Sequence, residues 1–114
     1  MATPNIKAPY GAVDQFTIAA TGTTSLTILN NRTLIDGVTT PLTGNVIINL
    51  ALDSRIDAGA KMYFKMNTVG ITTITFGTGF SCPVLTGVAG KTFTGAFYYD
   101  GTKFLATAAP YQIN

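Results

Sequence analysis

Residues 61–67 alternate without exception: Met62, Phe64 and Met66 hold one set of positions, and Lys61, Tyr63, Lys65 and Asn67 the other. A period of two puts these sets on opposite faces of a strand, and no helix, with its period of about 3.6, satisfies it. The same rule recurs along the chain. Val46, Ile48, Leu50 and Leu52 repeat at period two while Ile47 is apolar on the other side. That predicts a central strand, or one covered by a second subunit. Leu26 and Ile28 alternate with Ser25 and Thr27, and Phe93, Gly95, Phe97 and Tyr99 alternate with Thr92, Thr94, Ala96 and Tyr98. Composition agrees, since twenty of the 114 residues are Thr and none is Glu. Branched side chains lose freedom in helices and pack well on a pleated surface.

Turn residues punctuate these runs at Thr21-Gly22-Thr23, Asn30-Asn31, Asp36-Gly37, Thr43-Gly44-Asn45, Gly70, Gly77-Thr78-Gly79 and Gly87-Val88-Ala89-Gly90. Breaks about every eight to twelve residues predict an all-β domain, a small sandwich or barrel of about 7–9 short, mainly antiparallel strands. It spans residues 13–114, and residues 1–12 form an extended N-terminal arm in which Pro4 and Pro9 favour open backbone. Residues 32–35 read as a short strand closed by Asp36-Gly37, and residues 53–60 as a helical turn or tight loop stopped by Gly59. Pro83 makes residues 80–85 an edge or irregular strand. Lys61 and Lys65 would guard a sheet edge against stray pairing. The chain closes with a C-terminal hairpin, whose Asp100-Gly101 suits a tight primed turn with positive φ at both positions. No internal repeat of about 20 to 50 residues stands out.

Charge sets the functional bounds. Asp, Glu, Lys and Arg make up 11% of the chain, against about 25% in ordinary soluble domains. With no His, the chain cannot build a His-based triad or a histidine-ligated zinc site. A lone Cys82 makes neither an intrachain disulfide nor a thiolate cage. Net charge +2, with the basic residues scattered, argues against nucleic-acid binding. The apolar runs fall far short of the roughly 20 residues of a membrane span. The first residues lack an apolar signal core, so synthesis is expected in the cytoplasm with Cys82 reduced.

The individual candidates mostly have structural readings. Asp53 and Asp57 flank Ser54-Arg55-Ile56 without the pattern of a glycosidase pair or a calcium loop, and read as caps and surface partners. Cys82 has no neighbouring cation to activate it and reads as a buried thiol. Gly77-Thr78-Gly79 lacks the helix and Lys of a phosphate cradle, and Asn31-Arg32-Thr33 matches a glycosylation acceptor by chance. The acid–base inventory therefore points away from an enzyme, with no catalytic residue, cofactor or metal expected. The tyrosines differ. Outward Tyr63 and Tyr98 would stack on sugar rings or anchor a protein interface. In the arm, Ile6 and Tyr10 would anchor on a neighbour, with Lys7 touching an acidic surface.

The run from Lys61 through the Gly90-Lys91-Thr92-Phe93 entry to Tyr99-Asp100-Gly101-Thr102-Lys103-Phe104 has a recognisable rhythm. It resembles the small Thr/Gly-rich β-modules of tailed-bacteriophage virion proteins (head decorations, auxiliary capsid proteins and fibre modules), with a crAss-like phage as the source the resemblance suggests. The resemblance covers about half of the chain. It implies a non-enzymatic structural protein, a symmetric oligomer (often a trimer), a virion location, and the major capsid protein or another virion protein as partner. The shortness of the chain suits a head decoration that binds and stabilises the capsid surface. The alternative is a fibre or receptor-binding module that takes a glycan.

Overall fold

The computed structural model describes residues 13–52, 56–107 and 109–113, and none of these is helical. Eleven strands follow one another: β1 (Asp14–Thr17), β2 (Gly22–Ile28), β3 (Arg32–Leu42), β4 (Val46–Leu52), β5 (Lys61–Thr68), β6 (Thr73–Phe76), β7 (Phe80–Ser81), β8 (Leu85–Thr86), β9 (Lys91–Tyr99), β10 (Phe104–Ala106) and β11 (Tyr111–Gln112). They make two sheets. The first runs β1-β3-β5-β9-β10-β7, with β11 also on β9, and the second runs β2-β4-β6-β8. The all-β expectation is met, as the sandwich of the two alternatives, with eleven strands in place of about 7–9.

The path between the layers differs from expectation. Odd strands β1, β3 and β5 pair in parallel in the first sheet, and even strands β2, β4 and β6 pair in parallel in the second. Each crossover therefore passes through the opposite sheet, and the first half of the chain winds as a flattened coil. The direction reverses at β8, which runs antiparallel to β6, and β9 runs antiparallel to β5, β10 and β11. Five of the nine pairings are parallel, so the sheets are mixed and not mainly antiparallel. Alternation assigns residues to faces but carries no information on strand direction. The short breaks after β1 and β3 send the chain to the facing sheet, where a hairpin turn would have returned it to its neighbour.

The turns of the coil stack on one another through hydrogen bonds. The Thr43 amide donates to the Ala20 carbonyl (2.9 Å), and the Val69 amide to the Leu42 carbonyl (2.9 Å). Asn45 joins three successive windings. Its carbonyl accepts from the Gly22 amide (3.0 Å), and its Oδ1 accepts from the Thr73 amide (2.8 Å). At the opposite end, Asp14 Oδ2 accepts from the Leu29 and Asn30 amides (2.7 and 2.8 Å), holding the turn into β3. Asn49 Oδ1 likewise accepts from the Thr78 amide (2.9 Å). Asn and Asp suit these places because a short side chain completes the turn's own bonding.

The core lies between the sheets. Ile35, Met62, Phe64, Met66 and Phe97 face inward from the first sheet, and Leu26, Ile28, Val46, Ile48, Ile74 and Phe76 meet them from the second. Phe64, Phe76, Phe80 and Phe97 form one ring cluster, with Phe76 contributed across the interface at 5.1 Å from Phe64 and 5.0 Å from Phe97. Tilted and edge-on pairs at this spacing are favourable beyond the area they bury.

Three local expectations need correction. β3 does not stop at Asp36-Gly37 but continues to Leu42 through a register shift between Gly37 and Leu42. β5 is central, between β3 and β9, so Lys61 and Lys65 guard no edge. Within the described part of 53–60, the Ala60 amide donates to the Asp57 carbonyl (3.0 Å) and Gly59 has φ +95°, so of the two readings of this segment the tight loop is the one formed. The hairpin between β9 and β10 is real, but its loop is Asp100–Lys103 and only Gly101 has positive φ (+102°). Asp100 instead accepts the Thr102 and Lys103 amides on its Oδ1 (both 2.8 Å), and these bonds hold its carboxyl below the usual carboxylate range. Pro83 does mark irregular chain, since β7 and β8 are two residues each and lie at the edges of different sheets.

Candidate functional site

The two outer faces differ in chemistry. In the second sheet, the strands read GTTSLTI, VIINLAL, TITF and LT, without one charged residue. Register aligns Thr23, Ile47 and Thr75 in one row, Ser25 and Asn49 in the next, and Thr27 with Ala51 in a third. Thr23, Ser25, Thr27, Ile47 and Ala51 are exposed. Ile47, at 42% exposure, is the large apolar side chain of this face.

The outer face of the first sheet carries the charge and the tyrosines. Arg32 and Lys61 are direct partners on neighbouring strands, and Lys61 is opposite Tyr98 on the next. The following row holds Leu34, Tyr63 and Ala96. Tyr63 and Tyr98, the two tyrosines singled out from the sequence, are thus diagonal neighbours on one face, 45% and 42% exposed. Tyr111, opposite Thr94, adds a third at 70% exposure, and alternation in residues 92–99 could not have placed it. The expected N-terminal arm, residues 1–12 with Ile6, Lys7 and Tyr10, lies outside the described residues.

At one end of this face is a cleft of about 500 Å³ lined by residues that include Asn31, Arg32, Asp57, Gly59, Lys61 and Tyr63. Its walls are fixed by hydrogen bonds. Asn31 Oδ1 accepts from the Asp57 amide (2.9 Å), and Asn31 Nδ2 donates to Asp57 Oδ2 (3.0 Å). The Asn31 carbonyl accepts from the Lys61 amide (2.9 Å), and the Gly59 amide donates to the Tyr99 carbonyl (2.6 Å). The loop-fixing role expected of Asp57 is therefore what its contacts show, while Asp53 lies outside the described residues.

Asp36 shares the Lys65 row but is only 5% exposed, covered by its own turn on the outer side of the sheet. Its Oδ1 accepts from the Val38 and Thr39 amides (2.8 and 3.0 Å), and its Oδ2 from the Thr39 hydroxyl. The Thr39 hydroxyl, then the two amides, hold the carboxyl below its usual value; burial opposes them and Lys65 assists. A depressed carboxyl stabilises the fold fully above the unfolded value of about 3.9, and that contribution is lost as pH falls through the lower folded value. Asp36→Ala should destabilise by about 1–2 kcal/mol at neutral pH through the lost acceptors. Urea unfolding of both proteins at pH 7 and near pH 3 should show the gap narrowing in acid.

Cys82 is half-buried, with its Sγ 3.3 Å from the Pro83 carbonyl, and burial pushes the thiol up, away from reactivity. Among the described residues, no three of His, Cys, Asp or Glu gather where they could hold a metal ion. No protein-family model matches the chain, and no curated protein matches it.

Proposed function

We propose that this chain is a non-enzymatic virion structural protein, a head decoration or auxiliary capsid protein that binds and stabilises a capsid surface as an oligomer. One observation carries the reading: a whole sheet face without charge. Its rows are hydroxyls around one exposed isoleucine, with no charge to repel a neighbouring surface, and the sheet ends at β2 and β8, edges without charged side chains on which association can start. Depletion of charge is also what marks the centre of protein interfaces. The face is small. Four strands about 4.8 Å apart and up to about 23 Å long cover at most roughly 440 Å², below the roughly 800 Å² per partner of a stable interface. A single contact would therefore be weak, and attachment needs several copies acting together. Ile6, Lys7 and Tyr10 are the proposed additional contacts. The hairpin resemblance to phage virion modules supplies the location, the virion, and the trimer as the oligomer to look for first.

Sedimentation equilibrium tests the reading. The full chain should self-associate, and Ile47→Lys should dissociate it to monomers while leaving the thermal transition of the protomer nearly unchanged. A wild-type chain that stays monomeric at high concentration and does not bind bare capsids overturns it.

A further inference from the structure

The opposite face supports a separate inference, which goes beyond the capsid-binding reading and does not rest on it. Arg32 and Lys61 are register partners on adjacent strands, whose backbones lie about 4.8 Å apart. Like charges placed this way oppose folding. Among the described residues neither cation makes an ion pair, and Asp57, the acid that shares their cleft, is bound by Asn31 instead. Both line the same cleft of about 500 Å³, within the volume range of small-molecule sites. Tyr63 stands beside them in that cleft, and Tyr98 lies across from Lys61.

We infer that this cleft binds an acidic saccharide, with Arg32 and Lys61 holding the sugar carboxylate and Tyr63 stacking on the ring. Arg presents a planar fork that matches a carboxylate, and Lys adds a mobile point charge. The exposed faces of Tyr63 and Tyr98 present flat, amphipathic surfaces to the C–H face of a pyranose, while their hydroxyls stay in water. Asp57 separates a sugar from a bare anion. Asp57 lines the cleft, and its carboxylate accepts from Asn31. It repels every anion, the sugar carboxylate included, but it accepts hydrogen bonds from the several ring hydroxyls that a sugar adds. The hydrogen bonds between Asn31, Asp57, Lys61 and β9 hold the walls in place before ligand arrives, which limits the ordering cost of binding.

Isothermal titration of the full chain with oligogalacturonate and sialyllactose, against maltooligosaccharide, lactose and inorganic phosphate, tests the inference. An acidic saccharide should bind, weaken as salt rises, and exceed its neutral counterpart by at least tenfold. Arg32→Gln and Lys61→Gln should each lower that affinity about tenfold, and neither should lower the melting temperature, since each relieves a like-charge pair. Tyr63→Ala should weaken binding, and Tyr63→Phe should retain it. Three results overturn the inference: no binding of either acidic saccharide, equal binding of inorganic phosphate, or affinity unchanged in both Gln variants. Self-association is read separately by sedimentation, so failure here leaves the capsid-binding reading standing, and the converse holds.

Discussion

Phe97→Ala should lower the unfolding free energy by about 3–5 kcal/mol, the range for truncating a buried aromatic. The ring is 1% exposed. Its centroid lies 5.7 Å from Phe64 on the neighbouring strand β5, 5.0 Å from Phe76 in the facing sheet and 5.1 Å from Phe80 on β7. One residue thus joins the antiparallel half of the molecule to the coil. Its removal takes away transfer energy and leaves a void that three rigid rings cannot easily fill, because aromatic side chains have few rotamers with which to collapse. Set against a total stability of about 5–15 kcal/mol, the loss brings the variant near the limit of folding. Urea denaturation should show a lower midpoint with little change in slope. Phe97→Leu, which keeps most of the volume, should lose less than half as much. The next residue is the control: Tyr98 points outward, so Tyr98→Ala should change stability by no more than about 0.5 kcal/mol. Equal losses at 97 and 98 would mean that the assignment of faces is wrong.

That assignment was legible in the sequence because it depends only on period. Met62, Phe64 and Met66 face inward, and Leu26, Ile28, Val46, Ile48 and Leu50 do the same in the second sheet. The winding was not legible. Successive windings are offset by 19 and 29 residues in the first sheet and by 24 and 28 in the second. Unequal offsets leave no fixed repeat to detect, although the pairing is regular. Asp36-Gly37 misled for a related reason. The dipeptide looks like a strand stop, but Asp36 takes up the Val38 and Thr39 amides that a bulge leaves without partners, so β3 can continue. The same logic divides the sites. Alternation alone places Tyr63 and Tyr98 outward. The Arg32–Lys61 pair appears only once β3 and β5 are known to run in parallel, since the two residues are far apart in sequence and unremarkable singly. The charge-free face was present in the sequence as four uncharged runs, but nothing local says that they share a sheet.

Gly95→Val makes propensity and packing give opposite answers. Valine is a strong strand former and glycine a poor one, so local preference favours the substitution in β9. The space does not. A Cβ at Gly95 would stand 2.4 Å from Cε2 and 2.6 Å from Cζ of Phe64, its direct partner across β5. The Phe64 ring is itself buried against Phe76 and Phe97, at 5.1 and 5.7 Å, so it has no empty volume into which to turn. Overpacking of this kind costs about 1–3 kcal/mol and occasionally more. Valine at 95 should reach the upper end, because its methyl groups extend the clash. Thermal unfolding of wild type, Gly95→Val, Phe64→Leu and the double variant separates the two effects. Each single change should be destabilising, and the pair should be less so than their sum, because leucine vacates the part of the ring that the new side chain enters. Simple additivity would show that Gly95 is not what admits Phe64 to the core, and a stabilised Gly95→Val would show that strand propensity outweighs packing here.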